Sequence, residues 1–401
     1  MRAAFIGAIF AAGLAGSAGA QSVVLVRADN LPLWGDPAPL RRELRLGVLD
    51  GRDEQSFGRI VGIAVSRDGQ LWIADAQAST IRRFDVNGRY LGSVGRNGEG
   101  PGEFRNLAGL QRTPGGRVAA WDSRLKRVSF FDDAGEYIET VRVPARYEVG
   151  SSLESFRVGA RGELYVLGAT VTPPDPTFHL FYLRLRGAEA PDTVRIPAPN
   201  PRGPVRGIRS YLLGGMYPFS IATYSALTPA GHLVTGRNDQ YALHSRTDDG
   251  RPLRIERSYD PVRVQTAERR EAERLGDHFR RRNPGSLETA TAVPRVKPPF
   301  WNLWVDQDHR IWVARHGRGV PRPETAAERE RRERFDNPPS EWWDPLEFDV
   351  IDRRGRFLGS IRFANIQAKP MFAEGSRVWV LEQGEYGEQY VVRYVIDSST
   401  P

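Results

Sequence analysis

The feature that most constrains this chain is a stretch that occurs twice. Moving Phe57–Val94 forward by 47 residues places Phe57 on Phe104, Gly69 on Gly116 and Asp75 on Asp122 without a gap. Phe84, Asp85, Gly88 and Tyr90 then fall on Phe131, Asp132, Gly135 and Tyr137. Repetition at such a period marks an array of small units, each burying its apolar face against its neighbours. Within the first unit, Ile60–Val65, Leu71–Asp75, Ser79–Asp85 and Arg89–Val94 are short apolar or alternating runs suited to strands. Arg67-Asp68-Gly69 and Asn87-Gly88 separate them, and Asp, Asn and Gly tolerate the backbone of tight hairpins. Each unit is therefore expected to be a four-stranded antiparallel sheet.

The same signature recurs further along in weaker form. Gly162–Val166, Gly231–Thr235, Arg310–Arg315 and Arg377–Glu382 each read as the second strand of a unit, and Arg354–Ile361 nearly copies Asn87–Val94. The expected units span 57–95, 104–143, 151–198, 219–264, 300–364 and 366–397. The sixth lacks a fourth strand. An unpaired alternating run at 42–48, near the N-terminus, can supply it. Closing the ring in this way leaves no open sheet edge. Three insertions interrupt the plan: an Arg-, Gly- and aromatic-rich stretch at 199–218, a helix at 265–283 capped by Thr266, and a helix at 324–335 opened by the capping box Thr325–Glu328. The two Glu/Arg-rich helices read as solvated flaps.

The run Asp68-Gly69-Gln70-Leu71-Trp72-Ile73-Ala74-Asp75, with Ile81-Arg82-Arg83-Phe84-Asp85 and the joint Gly98-Glu99-Gly100-Pro101-Gly102-Glu103-Phe104, resembles the NHL repeat. The resemblance implies an all-β fold: a six-bladed β-propeller of four-stranded antiparallel blades, closed by an N-terminal strand, with short helical insertions. It says little about activity, because one scaffold of this kind serves many functions.

Residues 1–20 read as a signal peptide. Arg2 is followed by the small apolar run Ala3–Ala15 and by Ala18-Gly19-Ala20 as a cleavage pattern near Ala20. The remainder, 21–401, reads as one domain. It is expected to be exported, to the periplasm or beyond the cell, to insert in no membrane and to act as a monomer. The 401 residues contain no cysteine, which excludes disulfides, thiolate metal sites and a lipoprotein anchor. The net charge of +8 rests almost wholly on arginine, since Lys126, Lys297 and Lys369 are the only lysines. Basic and acidic residues alternate throughout, and an exported chain has no occasion to meet nucleic acid.

Motifs for chemistry are sparse. The joint Gly95–Phe104 has the glycines of a phosphate loop but lacks Gly-Lys-Ser/Thr and leads into a strand, so it reads as a crossover between units. Asp75 and Asp122 sit at equivalent strand ends, with Gly168, Arg237, Arg315 and Glu382 as the expected counterparts. That mixed set suits acceptors of backbone N–H groups better than metal ligands. The six histidines show no paired metal spacing, and His316 is expected to be exposed. No cofactor and no metal are expected. A propeller's first strands line its channel, so the residues at their starts rim one mouth. These are Arg59, Asn106, Glu154, Tyr217, Ser220, Trp301, Asn302 and Lys369, over which Arg209 and Tyr211 of the 199–218 insertion are placed to fold. Arg59, Asn106, Arg209, Tyr211, Tyr217, Trp301 and Asn302 form the candidate ligand-binding set. Guanidinium forks and aromatic faces suit a small anionic or sugar-like ligand, or a protein partner. The first reading is thus a non-enzymatic binding scaffold working through one mouth. The alternatives are a hydrolase or lyase like the gluconolactonase-type propellers, and a purely structural partner in a surface assembly.

Overall fold

A computed structural model describes residues 23–150, 155–171, 178–187, 189–197, 219–282, 293–365 and 368–397. Six sheets of four or five strands follow one another along the chain, as the repeat requires, and a two-stranded ribbon of Val320–Pro321 with Trp342–Trp343 stands in the fifth-blade insertion. The first two contain the duplicated units, with strands Ile60–Val65, Leu71–Asp75, Thr80–Phe84 and Tyr90–Val94 in one and Leu107–Arg112, Val118–Asp122, Arg127–Phe131 and Tyr137–Arg142 in the next. Trp72 and Trp121, which fall on equivalent second strands, are both fully buried. The core divides into clusters lying between successive blades. One, for example, joins Trp72 and Ala74 of the first blade to Leu107, Leu110 and Phe131 of the second. The blades crowd together around the channel, where a Cβ on Gly62 would come within 2.7 Å of the Leu110 backbone nitrogen.

Two segments near the N-terminus, β1 (Val24–Arg27) and β2 (Leu40–Leu46), complete the ring. β2 pairs antiparallel with Gln389–Ile396 as the outermost strand of the sixth blade. β1 lies parallel to Pro252–Glu256, making a fifth strand on the fourth blade. Nothing in the sequence assigned β1 a partner. Between the two, the chain crosses the edge of the fifth blade: Trp34 and Ala38 N–H donate to the Leu358 and Ser360 carbonyls, at 2.7 and 2.8 Å. The segment 23–46 is therefore a strap over three blades. It also meets the first blade, since Gly88, at φ +86°, lies where any side chain would collide with Leu44 and Leu46 at 2.8 Å.

Two helices are present among the described residues: α1 (Thr266–Arg282) and α2 (Ala326–Arg334). The Thr325–Glu328 capping box closes α2, and none of its residues is buried. For α1 the expected cap is corrected. Thr266 lies inside the helix, while Gln265 stands at the boundary: its carbonyl accepts the first helical bond from Arg269 N–H, and its own N–H donates to Glu268 at 3.0 Å. Nor is α1 a solvated flap. Glu268, Glu271 and Ala272 are buried against the neighbouring blade and its insertion.

Candidate functional site

In each blade the first strand runs away from the face that carries the crossovers between blades. That inlet face also holds the ends of the second strands and both helices. The opposite face holds the tight turns. The first strands surround a channel lined by Gly62, Gln111, Arg157, Ser225, Trp304 and Met371, among others. Its enclosed space is only about 70 Å³, against the roughly 300–1,000 Å³ usual for ligand pockets. The turn-face end is crossed by polar bridges. Arg112 of the second blade pairs with Glu374 of the sixth, and Arg157 of the third donates to the Val305 carbonyl of the fifth at 2.6 Å. These blades are not neighbours, so the bridges span the axis. A ligand of the channel larger than a few waters is thereby confined to its inlet mouth.

At that mouth the repeated aspartates do structural work. Asp75 accepts N–H bonds from Gly58, Arg59, Gln77 and Ala78 and pairs with Arg82 at 2.8 Å. Asp122 accepts from Arg105, Asn106, Arg124 and Leu125. In the fourth blade this role belongs to Asn238, one residue beyond the expected Arg237. Its Oδ1 accepts from Ala222 N–H, and its Nδ2 donates to the Ser220 and Phe300 carbonyls. The glycine joint is likewise structural. Glu103 accepts from Gly100 N–H and Arg96, and the Arg127 guanidinium collects the carbonyls of Glu99, Gly100 and Glu103. Carbonyls turned inward toward a cation are the reverse of a phosphate cradle.

The fourth and fifth blades carry something the repeat does not. Lys297, in the inlet to the fifth blade, has a fully buried side chain. Its ammonium contacts Glu268 of α1 at 2.5 Å, the Gly317 carbonyl at 2.9 Å and the Asp344 carboxylate, and it lies 4.9 Å from the Phe219 ring centre. The other Asp344 oxygen is 2.6 Å from His316 Nδ1. The imidazole packs edge-on against Phe219 at 5.2 Å and against Trp301 at 6.5 Å. His316 is therefore not the exposed side chain expected; only 11% of its side chain is accessible. Glu271 fastens α1 to the fifth-blade insertion, accepting from Ser340 Oγ and from the Glu341 and Trp342 N–H groups. Together these contacts bind α1, the strand Phe300–Val305 and the 318–344 insertion into one cap beside the mouth.

Of the predicted rim residues, Trp301 adjoins this cluster. The Trp301 indole N–H donates to the Arg315 carbonyl at 3.2 Å, and Asn302 Oδ1 accepts from Leu303 N–H. Asn106 and Arg59 bond within their own blades, Asn106 donating to Ser123 and Arg59 held through its backbone N–H by Asp75. Arg59 and Lys369 are exposed. Glu154, Arg209, Tyr211 and Tyr217 lie outside the described residues. Sequence reasoning missed Glu268, Lys297 and Asp344. The available signal was the lysine itself, a compact point charge in a chain that otherwise uses arginine.

Residues 47–153 match the family model DUF5128, described as a six-bladed β-propeller. The protein is a six-bladed β-propeller. No curated protein matches its sequence. Solved structures similar to the propeller include a candidate exported protein of Bacteroides fragilis, at 9% identity and TM-score 0.49, covering 94% of this chain and 100% of that one. Virginiamycin B lyase from Staphylococcus aureus is similar at 10% identity and TM-score 0.42, covering 89% and 99%. A gluconolactonase from Xanthomonas campestris is similar at 10% identity and TM-score 0.40, covering 90% and 88%. No helix among the described residues is long and apolar enough to cross a membrane, and no three of their His, Asp or Glu side chains are placed to hold a metal.

The carboxylates of the propeller predict its acid stability. Burial raises the Asp344 pKa, but the His316 hydrogen bond and the Lys297 charge outweigh it and hold the group below its ordinary value. Asp75 is likewise lowered on balance, with burial opposed by the Gly58 and Arg59 N–H groups and by Arg82. A group whose pKa is lower folded than unfolded contributes stability above its unfolded value, near ~4, and loses it as pH falls through the folded value. Urea midpoints should therefore fall steeply below about pH 4, after a gentler decline below about pH 6.5 from His232, His244 and His309, whose pKa values burial lowers. Asp344→Asn should flatten part of that fall.

Proposed function

We propose that this propeller is exported and acts as a monomeric binding scaffold, taking a small anionic or sugar-like ligand, or an acidic partner surface, at the inlet mouth. The observation that carries the reading is the cap. An ion-paired, fully buried lysine joins insertions from two blades beside one mouth, and the ring does not need this for closure. The narrow channel beneath serves as a floor. Exposed Arg59 and Lys369 supply cationic groups across the mouth, and neither has a hydrogen-bond or ion-pair partner for its side chain among the described residues. The test is a thermal-shift screen of sugar acids and acidic peptides on the mature chain, followed by titration of any hit. Arg59→Ala with Lys369→Ala should weaken binding about tenfold or more, the scale of one lost charge-assisted hydrogen bond, while the melting temperature stays within a few degrees. Unchanged affinity retires the mouth as the site.

A second reading, a hydrolase or lyase, is favoured by one observation. The His316–Asp344 pair has the arrangement of a base with its orienting carboxylate, and His316 Nε2 has no hydrogen-bond partner among the described residues. Turnover of a lactone that falls to background in His316→Ala, with binding retained, would establish it. Turnover that survives the substitution would dismiss it.

A further inference from the structure

We propose a second binding site, on the face opposite the cap, for an oligosaccharide that carries carboxylate groups. A cleft of about 640 Å³ lies between the fifth and sixth blades, within the usual range for ligand pockets. Its walls include Arg353, Arg354 and Arg356 from a tight turn of the fifth blade, Arg310 on the floor and Trp34 from the strap. This site is independent of the inlet mouth.

The repeat provides an internal control for what that turn requires. In the first blade Asp85 accepts N–H bonds from Asn87 and Arg89, and in the fifth Asp352 accepts from Arg354 and Arg356 in the same way. Gly88, Gly135 and Gly355 all take positive φ, at +86°, +91° and +88°. The turn thus fixes an aspartate and a glycine. It leaves the two residues between them free: Val86-Asn87, Asp133-Ala134 and Arg353-Arg354 in the first, second and fifth blades. Two adjacent arginines at these places are not explained by folding.

The other charges of the cleft are already matched. Arg310 is held by Asp306 at 2.5 Å and Asp308 at 3.1 Å, and its guanidinium lies 5.4 Å from the Trp34 ring centre. Asp308 also accepts from Gly375 N–H, and Arg356 pairs with Asp352 at 2.8 Å. Arg353 faces an exposed Asp248 at 3.4 Å. The Arg354 guanidinium has no partner among the described residues. The unpaired Arg354 fork, and the Arg353 fork held only by a surface ion pair that an anion can displace, are therefore placed to meet an anion, beside an indole suited to the apolar face of a sugar ring. Asp308 and Asp352 stand in the same cleft and repel a doubly charged phosphate more than single carboxylates spaced along a chain.

The experiment is isothermal titration of the mature chain with galacturonic acid hexamer. Maltohexaose serves as the neutral arm and inorganic phosphate as the competitor. The hexamer should bind, more weakly as salt is raised, and maltohexaose should not. Arg353→Ser with Arg354→Ser should weaken binding about tenfold or more. Arg89→Ala, the equivalent of Arg356 in the first blade, should leave it unchanged. Failure of the hexamer to bind, an equal loss in the Arg89 variant, equal binding of maltohexaose, or displacement by phosphate at the hexamer's own concentration would each overturn the proposal. Mouth variants at Arg59 and Lys369 should not alter this binding, which keeps the two sites separable.

Discussion

A chain lacking residues 23–46 should show no cooperative thermal unfolding transition by circular dichroism. The strap feeds three separate core clusters. Val24, Val26 and Ala28 join that of the fourth and fifth blades, Trp34, Ala38 and Leu40 that of the fifth and sixth, and Leu44 and Leu46 that of the sixth and first. At about 1.5–3 kcal/mol for each fully buried large side chain, and less for the partly covered ones, the loss is on the order of 10 kcal/mol. That rivals the whole net stability of a typical domain, about 5–15 kcal/mol. Removal also strips the ladder from Gln389–Ile396 and opens two edges. Leu46→Asp tests the same junction more gently, placing an unpaired charge among Phe57, Phe84 and Trp379. It should cost about 3–5 kcal/mol in urea unfolding. A truncated chain that melts like the full one would show that the sixth blade is complete without β2.

The second large effect is expected at Lys297. Replacing it with Met removes the cation and leaves Glu268 and Asp344 facing each other without it. Breaking a buried ion pair from one side costs about 3–5 kcal/mol, whereas replacing all the charges together is often neutral. Lys297→Met alone should therefore destabilise strongly, and Lys297→Met with Glu268→Gln and Asp344→Asn should recover much of the loss. Because the cluster joins the cap to the ring, the single variant should also expose α1 to proteolysis before the blades. If the triple variant is as unstable as the single one, packing around the lysine stem, rather than its charge, holds the cap.

The ring was legible because its cause is local. Tight turns need Asp and Gly at fixed places, strands need alternation, and both are written into each unit. Even the closure by β2 could be read, since a missing fourth strand and an unpaired run are complementary. The cap was not legible for the opposite reason. Glu268, Lys297, His316 and Asp344 come from four separated stretches, and nothing short of the fold brings them together. The sequence around Glu268 is so rich in Glu and Arg that it reads as solvent-facing, yet two of its acids are buried. β1 was missed because a four-residue parallel strand has no hairpin to announce its partner. The fourth-blade aspartate equivalent was displaced by one residue, and a rigid count along the repeat fell on Arg237 instead of Asn238. Of the rim set, Trp301 packs against His316 of the cluster, while the polar contacts of Asn106 lie within its own blade.

The strap also sets an order of events. β2 sits on Gln389–Ile396, so a strand near the start of the chain must wait for one near its end. Until then, the outer edge of the sixth blade stands open and the ring has no means of shutting. The chain is in this sense built to remain unfinished throughout its own delivery. The postponement is written into which strand pairs with which.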